Sequence, residues 1–211
     1  MPSPAWVERI RREWVRFHLA EPAFAFMFEP PPEDEWVAVD CETTGLDVAR
    51  DQIIAIGAVR IRGNRILASE RLELLVRPER RVSAESVRVH MLRERDVAQG
   101  LDPAVAMREL MRFIGSRPLV GYYLEFDVAM LNREIWPLLG FRLPQPKIEV
   151  SSMYYDWKNR GLPPEKRGGE IDLRFATMMR ELDLPQYAAH DPLNDATMAA
   201  LAFIKLRHLL A

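Results

Sequence analysis

The chain has one cysteine, Cys41, in 211 residues. It can form no internal disulfide, and without further thiols there is no zinc-ribbon spacing. Long apolar runs are missing as well. Stretches such as Pro22 to Phe28 fall far short of the roughly 20 residues that cross a bilayer. The first dozen residues carry Glu8, Arg9, Arg11 and Arg12, with no apolar core ahead of a small-residue cleavage site, so no secretory signal is expected. These absences point to a cytoplasmic protein without membrane contacts. A surplus of positive charge is also lacking. Twenty-nine basic against 31 acidic residues leave a net charge of −2. That excludes a global field drawing in nucleic acid, unless bound cations neutralise some of the acids. Only four of the basic residues are lysines. Arginine suits bidentate phosphate contacts, though composition alone accounts for it equally well.

What remains is ordinary globular material. At 48% hydrophobic and 28% charged, the chain has the composition of one folded domain, with room for a small appendage. Residues 6 to 18 place Val7, Ile10, Trp14 and Phe17 on one helical stripe. Pro22, then Pro30 to Pro32 with Glu33, Asp34 and Glu35, interrupt it. Residues 1–35 are therefore expected to form a helical extension and proline-rich linker, with the compact domain at 36–211. The extension carries Trp6, Trp14, Phe17 and the Phe24 to Phe28 cluster. These suit packing on the chain's own domain, or docking to a second copy or a protein partner.

The domain opens with strand patterns at Trp36 to Glu42, Ile53 to Ile61 and Ile66 to Val76, which read as an antiparallel meander. Helices are expected at Ala104 to Ser116, Phe126 to Trp136 (closed by Pro137), Ile171 to Leu182 and Leu193 to Leu209. Further strands are expected at Leu119 to Tyr123 and Lys147 to Tyr154, and a polar loop from Trp157 to Glu170. A hairpin group followed by alternating strands and helices implies a mixed α/β sheet flanked by helices.

Three places carry chemistry. Asp40 and Glu42 end the first strand two residues apart, so both carboxylates share one face while Cys41 turns away. Two converging carboxylates repel each other, and either one protonates or a cation sits between them. Asp127 follows an apolar strand in the first turn of a helix, and Asp195 lies on the last helix, five residues after His190. A histidine there can swing over a site and accept a proton from water. Taken singly, each has a plain structural reading: a solvated turn, a capping acid, a surface histidine.

The ordered set is more specific. Asp40-x-Glu42-Thr43-Thr44-Gly45, then Val120-Gly121 with Phe126-Asp127, then His190 with Asp195-Ala196, resembles the three motifs of the DEDDh 3′–5′ exonuclease family. That family includes the proofreading subunit of bacterial DNA polymerase III, ribonuclease T and oligoribonuclease. The likeness runs from residue 36 to 209. It includes Asp51 to Val59, similar to the family's second strand, and Val89-His90-Met91-Leu92, where many members have Ile-His-Gly-Ile. His90 reads as a structural residue.

The resemblance implies a ribonuclease-H-like fold with an antiparallel second strand in a mostly parallel sheet. It also implies two divalent cations, Mg²⁺ or Mn²⁺, held by Asp40, Glu42, Asp127 and Asp195, with His190 as general base. Thr43, Thr44, Gly45 and Leu46 match positions that hold the terminal nucleotide. The implied substrate is the 3′ end of single-stranded DNA or RNA, released as nucleoside 5′-monophosphates. Two such ions would move the formal charge from −2 to +2. One departure stands out: Gly121-Tyr122-Tyr123 replaces the Gly-His-Asn of many relatives. The basic residues Lys158, Arg160, Lys166 and Arg167 receive no role. A non-catalytic interaction module on the same fold is the alternative, and five intact site residues argue against it.

Overall fold

The run Trp36 to Val39 forms the start of β1 (Glu35–Thr43) in the computed structural model, which describes residues 17–79, 92–163, 165 and 167–211. β2 (Ile53–Arg62) and β3 (Arg65–Leu75) complete the antiparallel meander, turning at Gly63 with φ of 57°. Short helix α1 (Glu94–Val97) and α2 (Pro103–Ile114) lead to β4 (Leu119–Gly121) and α3 (Leu124–Leu139). β5 (Lys147–Glu149) and three helices follow, α4 (Val150–Arg160), α5 (Phe175–Glu181) and α6 (Pro192–Leu210). The sheet order is β3-β2-β1-β4-β5, and β2 alone runs against the others.

Side chains alternate across the strands, so the sheet buries both faces. Val37, Val39 and Cys41 join Leu110 and Met111 of α2 and Leu131 and Ile135 of α3 on one side. Ala38 and Val120 meet Tyr154, Met178, Ala196 and Phe203 on the other. Asp40 and Glu42 continue the second face past its apolar part, toward the start of α6.

How α6 reaches that point depends on Gly57, the register partner of Asp40. A Cβ at Gly57 would lie 2.1 Å from the Pro192 carbonyl carbon and 2.2 Å from the Leu193 nitrogen. The first turn of α6 thus rests on the backbone of β2. Asp191 caps the helix by accepting the Asn194 N–H at 2.9 Å, and Pro192 fills the first helical position.

Several expectations need correcting. Lys147 to Tyr154 is strand only as far as Glu149. The Glu149 carboxylate accepts the Ser151 N–H at 3.0 Å and its hydroxyl at 2.7 Å, which caps α4 and turns the chain into a helix. The loop expected from Trp157 accordingly begins after Arg160. Pro137 does not close α3. It lies inside the last turn, and the helix ends at Gly140, whose φ of 74° lets its N–H reach the Trp136 carbonyl. A proline there removes one backbone donor, while Leu139 is fully buried and holds the turn in place. The helix expected from Ile171 starts at Phe175, because the Asp172 carboxylate takes the Arg174 N–H, the Arg174 guanidinium and the Thr177 hydroxyl.

The boundary at residue 36 also cuts through the core. Leu19, Phe24 and Met27 are buried in it, the last two on a 3₁₀ helix at Pro22–Phe28. The Ala20 N–H bonds the Leu139 carbonyl, and Gln145 reaches the Met27 carbonyl. Phe17 is 85% exposed, while Val7, Ile10 and Trp14 lie outside the described residues, as does His90. Among the described residues no helix is long and apolar enough to cross a membrane.

Gly57→Ala is expected to destabilise the fold by about 1–3 kcal/mol, the usual cost of overpacking. Urea unfolding measures it. A midpoint equal to the parent's would show that α6 does not rest on β2 as closely as described.

Candidate active site

Four carboxyl groups and one imidazole from three separate stretches of chain meet at the end of β1. Asp40 and Glu42 project from one face of the strand, and Cys41 is buried on the opposite side. β4 runs parallel beside β1, and the chain leaving it enters α3, which carries Asp127 in its first turn. The Asp127 side chain is 5% exposed and accepts a hydrogen bond from the Cys41 backbone. From the other side, α6 brings Asp195. Ligand atoms of Glu42, His190 and Asp195 all lie within 4.8 Å of one another.

His190 sits just before α6 with φ of 64°, in the left-handed region. Its backbone N–H donates to Asp195 Oδ2 at 2.9 Å, and its side chain is exposed. The aspartate is thus held on a rigid helix, while the imidazole stands on an irregular turn beside it.

The electrostatics are one-sided. Among the described residues, no lysine or arginine forms an ion pair with Asp40, Glu42, Asp127 or Asp195. Burial and the neighbouring acids push Asp40 well above the usual carboxylate range. Burial, with Asp195 and Asp191 close by, lifts Glu42 to about 7. Burial also lifts Asp127 to about 8, against the pull of the Cys41 backbone. Asp195 is raised by burial, partly offset by the His190 N–H. Each carboxyl makes its neighbours harder to ionise. A cluster with this deficit of positive charge, made of oxygen donors with one imidazole beside them, fits hard divalent cations.

The loop after β1 is tied largely to itself. Thr43 donates its hydroxyl to the Gly45 carbonyl at 2.7 Å. Thr44 uses its hydroxyl on Asp51 (2.9 Å) and Gln52 (3.0 Å), and its N–H on the Gln52 carbonyl (2.9 Å). The Thr44 N–H thus closes the loop that places Thr43, Gly45 and Leu46 beyond the strand end. Gly45 is required because a Cβ there would lie 2.5 Å from the Asp51 carboxylate. Leu46 is 85% exposed at the loop's tip and is open to a ligand.

Tyr122 and Tyr123 differ in their surroundings. The Tyr122 hydroxyl donates to the Leu173 carbonyl at 3.0 Å, and its ring stacks on Phe175 at 4.5 Å. Tyr123 is exposed at the start of α3. Lys158 is paired with Glu181, while Arg160 and Arg167 donate to the backbone carbonyls of Leu210 and Leu162. Lys166 lies outside the described residues.

Sequence reasoning missed two acids. Asp191 adds negative charge next to Asp40, Glu42 and Asp195, yet in sequence it looks only like a helix cap. Glu149 approaches Asp127 and accepts the Leu124 N–H at 2.9 Å, a relation across β4 and β5 with no local signal.

With this geometry in view, the sequence profile of the RNase T exonuclease family matches residues 37–203. The chain belongs to that exonuclease family. Among curated relatives, it is 30% identical over 175 residues to a DNA polymerase III subunit epsilon-like protein of Rhodobacter capsulatus, covering 81% of this chain and 23% of that one. The DNA polymerase III subunit epsilon of Aquifex aeolicus is 24% identical, over 81% of this chain and 79% of its own length. The chain spans a quarter or less of the first relatives it matches. Exonuclease I of E. coli, solved with zinc and single-stranded DNA, superposes with a TM-score of 0.68 at 14% identity, over 83% of this chain and 40% of that one. Such neighbours show the fold, a ribonuclease-H-like exonuclease sheet, as the resemblance implied.

A pH test follows from the raised carboxyls of this exonuclease domain. In an unfolded chain they ionise near about pH 4. Because folding raises them, their contribution to stability is intact below that pH and is lost as pH climbs through about 7 and about 8. In EDTA, the melting temperature is expected to fall between about pH 6 and pH 9, and Asp127→Asn should flatten the decline. A melting temperature that rises over this range would contradict the described cluster.

Proposed function

We propose that this chain is a metal-dependent 3′–5′ exonuclease that removes nucleoside 5′-monophosphates from single-stranded DNA or RNA. The observation that carries the reading is the convergence of Asp40, Glu42, Asp127 and Asp195 without a cationic partner among the described residues, beside His190. Asp40, Glu42 and Asp195 would hold two divalent ions, Mg²⁺ or Mn²⁺, with Asp127 completing the set. When bound, such ions lower the pKa of water and stabilise charge on the attacking and leaving oxygens.

The chain's own groups supply the rest. His190 Nδ1 or Nε2 takes the proton from the attacking water. Leu46 packs against the last base, and Thr43 and Gly45 shape the loop that presents it. A short or single-stranded end is favoured because a net charge of −2 supports no long electrostatic footprint. The buried single thiol and the absence of a membrane-crossing helix among the described residues fit a cytoplasmic setting.

End-labelled single-stranded DNA and RNA, incubated with the protein and Mg²⁺ or Mn²⁺, should shorten one nucleotide at a time from the 3′ end, and EDTA should stop the reaction. Asp40→Ala should abolish turnover while melting no lower than the parent in EDTA, because it relieves carboxylate repulsion. Turnover within about tenfold of the parent, roughly 1.4 kcal/mol in barrier, would sink the reading.

His190 has a separate signature. His190→Ala should lose about 10²–10⁴-fold in rate. It should keep most of the metal-induced rise in melting temperature, since the ions stabilise the folded state through the carboxylates. The acid limb of its rate profile should flatten, because no imidazole remains to be protonated. A parent-like profile would remove His190 from the chemistry.

A further inference from the structure

Away from the carboxylates, the outer face of α3 carries a second surface. Glu125, Val128, Ala129, Asn132, Arg133 and Trp136 recur at helical spacing along one stripe. Together with Val48, Arg142 and Lys147 they line a groove of about 680 Å³. Val128, Ala129 and the Trp136 ring, 53% exposed, are its apolar lining, and Arg142 and Lys147 are its available cations, since Arg133 is paired with Glu134 at 2.7 Å. Arg133 donates to the Val48 carbonyl, which ties the groove to the loop that bears Leu46. Arg142 has no ion-pair partner among the described residues, and Lys147 reaches Glu125 only at 3.4 Å, with both groups open to water. One end of the groove thus adjoins Asp127 and Leu46. It runs along α3 from Glu125 to Trp136, twelve residues and eleven rises, or about 16 Å at 1.5 Å per rise.

We propose that this groove holds the few nucleotides upstream of the 3′ end, with a base stacked on Trp136 and backbone phosphates on Arg142 and Lys147. The inference rests on the exonuclease reading and deepens it by giving the strand a path away from the cleft. The occupant follows from charge and shape. An exposed aromatic flanked by cations is the pattern by which single strands are held without regard to sequence. A chain with a net charge of −2 has otherwise little to attract a polyanion. The groove also explains how an acidic cleft meets its substrate: Arg142 and Lys147 offer the strand positive charge that the cleft lacks.

Fluorescence anisotropy of 5′-labelled oligodeoxynucleotides, read in EDTA on the full chain, tests binding without turnover. For a decanucleotide, Arg142→Ala combined with Lys147→Ala should make the slope of log affinity against log salt shallower by about 1.4, the counterions of two phosphates on a single strand. Trp136→Ala should weaken binding at least about fivefold, the low end for one stacked base. Both losses should shrink as the oligonucleotide shortens to a dinucleotide. Arg65→Ala, on the far hairpin, should leave affinity and slope unchanged. A double variant with the parent's slope, or a loss equal at all lengths, would overturn the groove. So would a parent that is dimeric and turns monomeric with Trp136→Ala, since a second copy would then occupy it. Failure of the exonuclease reading would appear separately, as a parent that binds but yields no ladder with Mg²⁺ or Mn²⁺.

Discussion

A helix can begin against a strand at backbone distance only where the strand lacks a side chain. Gly57 provides that gap, and it does so directly across from Asp40 in the β1–β2 register. The helix that starts there carries Asp191 as its cap and Asp195 in its first turn. Both are therefore delivered to the face of the sheet already occupied by Asp40 and Glu42. The parallel pairing of β4 with β1 does the same for Asp127, since the chain leaving β4 enters α3 at the same end of the sheet. Ligand sites in open α/β sheets lie at the carboxyl ends of the strands for this reason, because that is where connections converge. Here the convergence has a definite cause at each residue.

The arrangement works against stability. Burial and neighbouring acids raise all four carboxyls, and among the described residues no lysine or arginine pairs with them, His190 alone easing Asp195. A fold retains such a cluster only if other contacts over-determine it. Apolar layers on both faces of the sheet meet that demand, with Cys41 and Val39 anchoring β1 from behind while its acids face the cleft. Elsewhere the chain handles acids in the usual way: Glu35 is held by Arg62 and Arg117 at 2.7 Å each, and Glu21 by Arg108. Those two half-buried acids are each met by arginine, as the four of the cleft are not.

The features legible in the sequence were those governed by near neighbours. Alternation on β1 placed Asp40 and Glu42 on one face and Cys41 on the other, and helical spacing with a leading proline found α2 and α6. Features that depend on distant partners were hidden. The strand expected through Tyr154 gave way after three residues because Glu149 is a better helix cap than its apolar successors are strand formers. Pro137 looked like a stop, but burial of Leu139 outweighs one lost hydrogen bond. For residues 19–28 aromatic spacing leaves packing on the domain and docking to a partner equally open, and only the fold shows Phe24 and Met27 in the core beside α2. The bond from the Thr44 N–H to the Gln52 carbonyl, eight residues on, has no local signal either. For Gly57 the sequence offers a glycine in a strand, and its meaning appears only when Pro192 is seen to rest on it.

Net charge hid the most. A balance of −2 summarises two opposed surfaces a few residues apart. At the strand ends the acids are concentrated and unpaired. Beside the outer face of α3, Arg142 and Lys147 line one groove with the exposed Trp136 indole. Fields of opposite sign this close act separately on a ligand only when each is felt within about a Debye length, near 8 Å at physiological salt. The groove extends about 16 Å along the helix, so its far end lies outside the reach of the carboxylates even before any ion binds. A polyanion can thus stack on Trp136 at that end, while Lys147 stands beside Glu125 at the other. Whatever neutralises Asp40, Glu42, Asp127 and Asp195 then decides whether its terminus enters. Affinity and chemistry are in this way assigned to different groups around one helix, with Asp127 buried in its first turn and Trp136 exposed in its last.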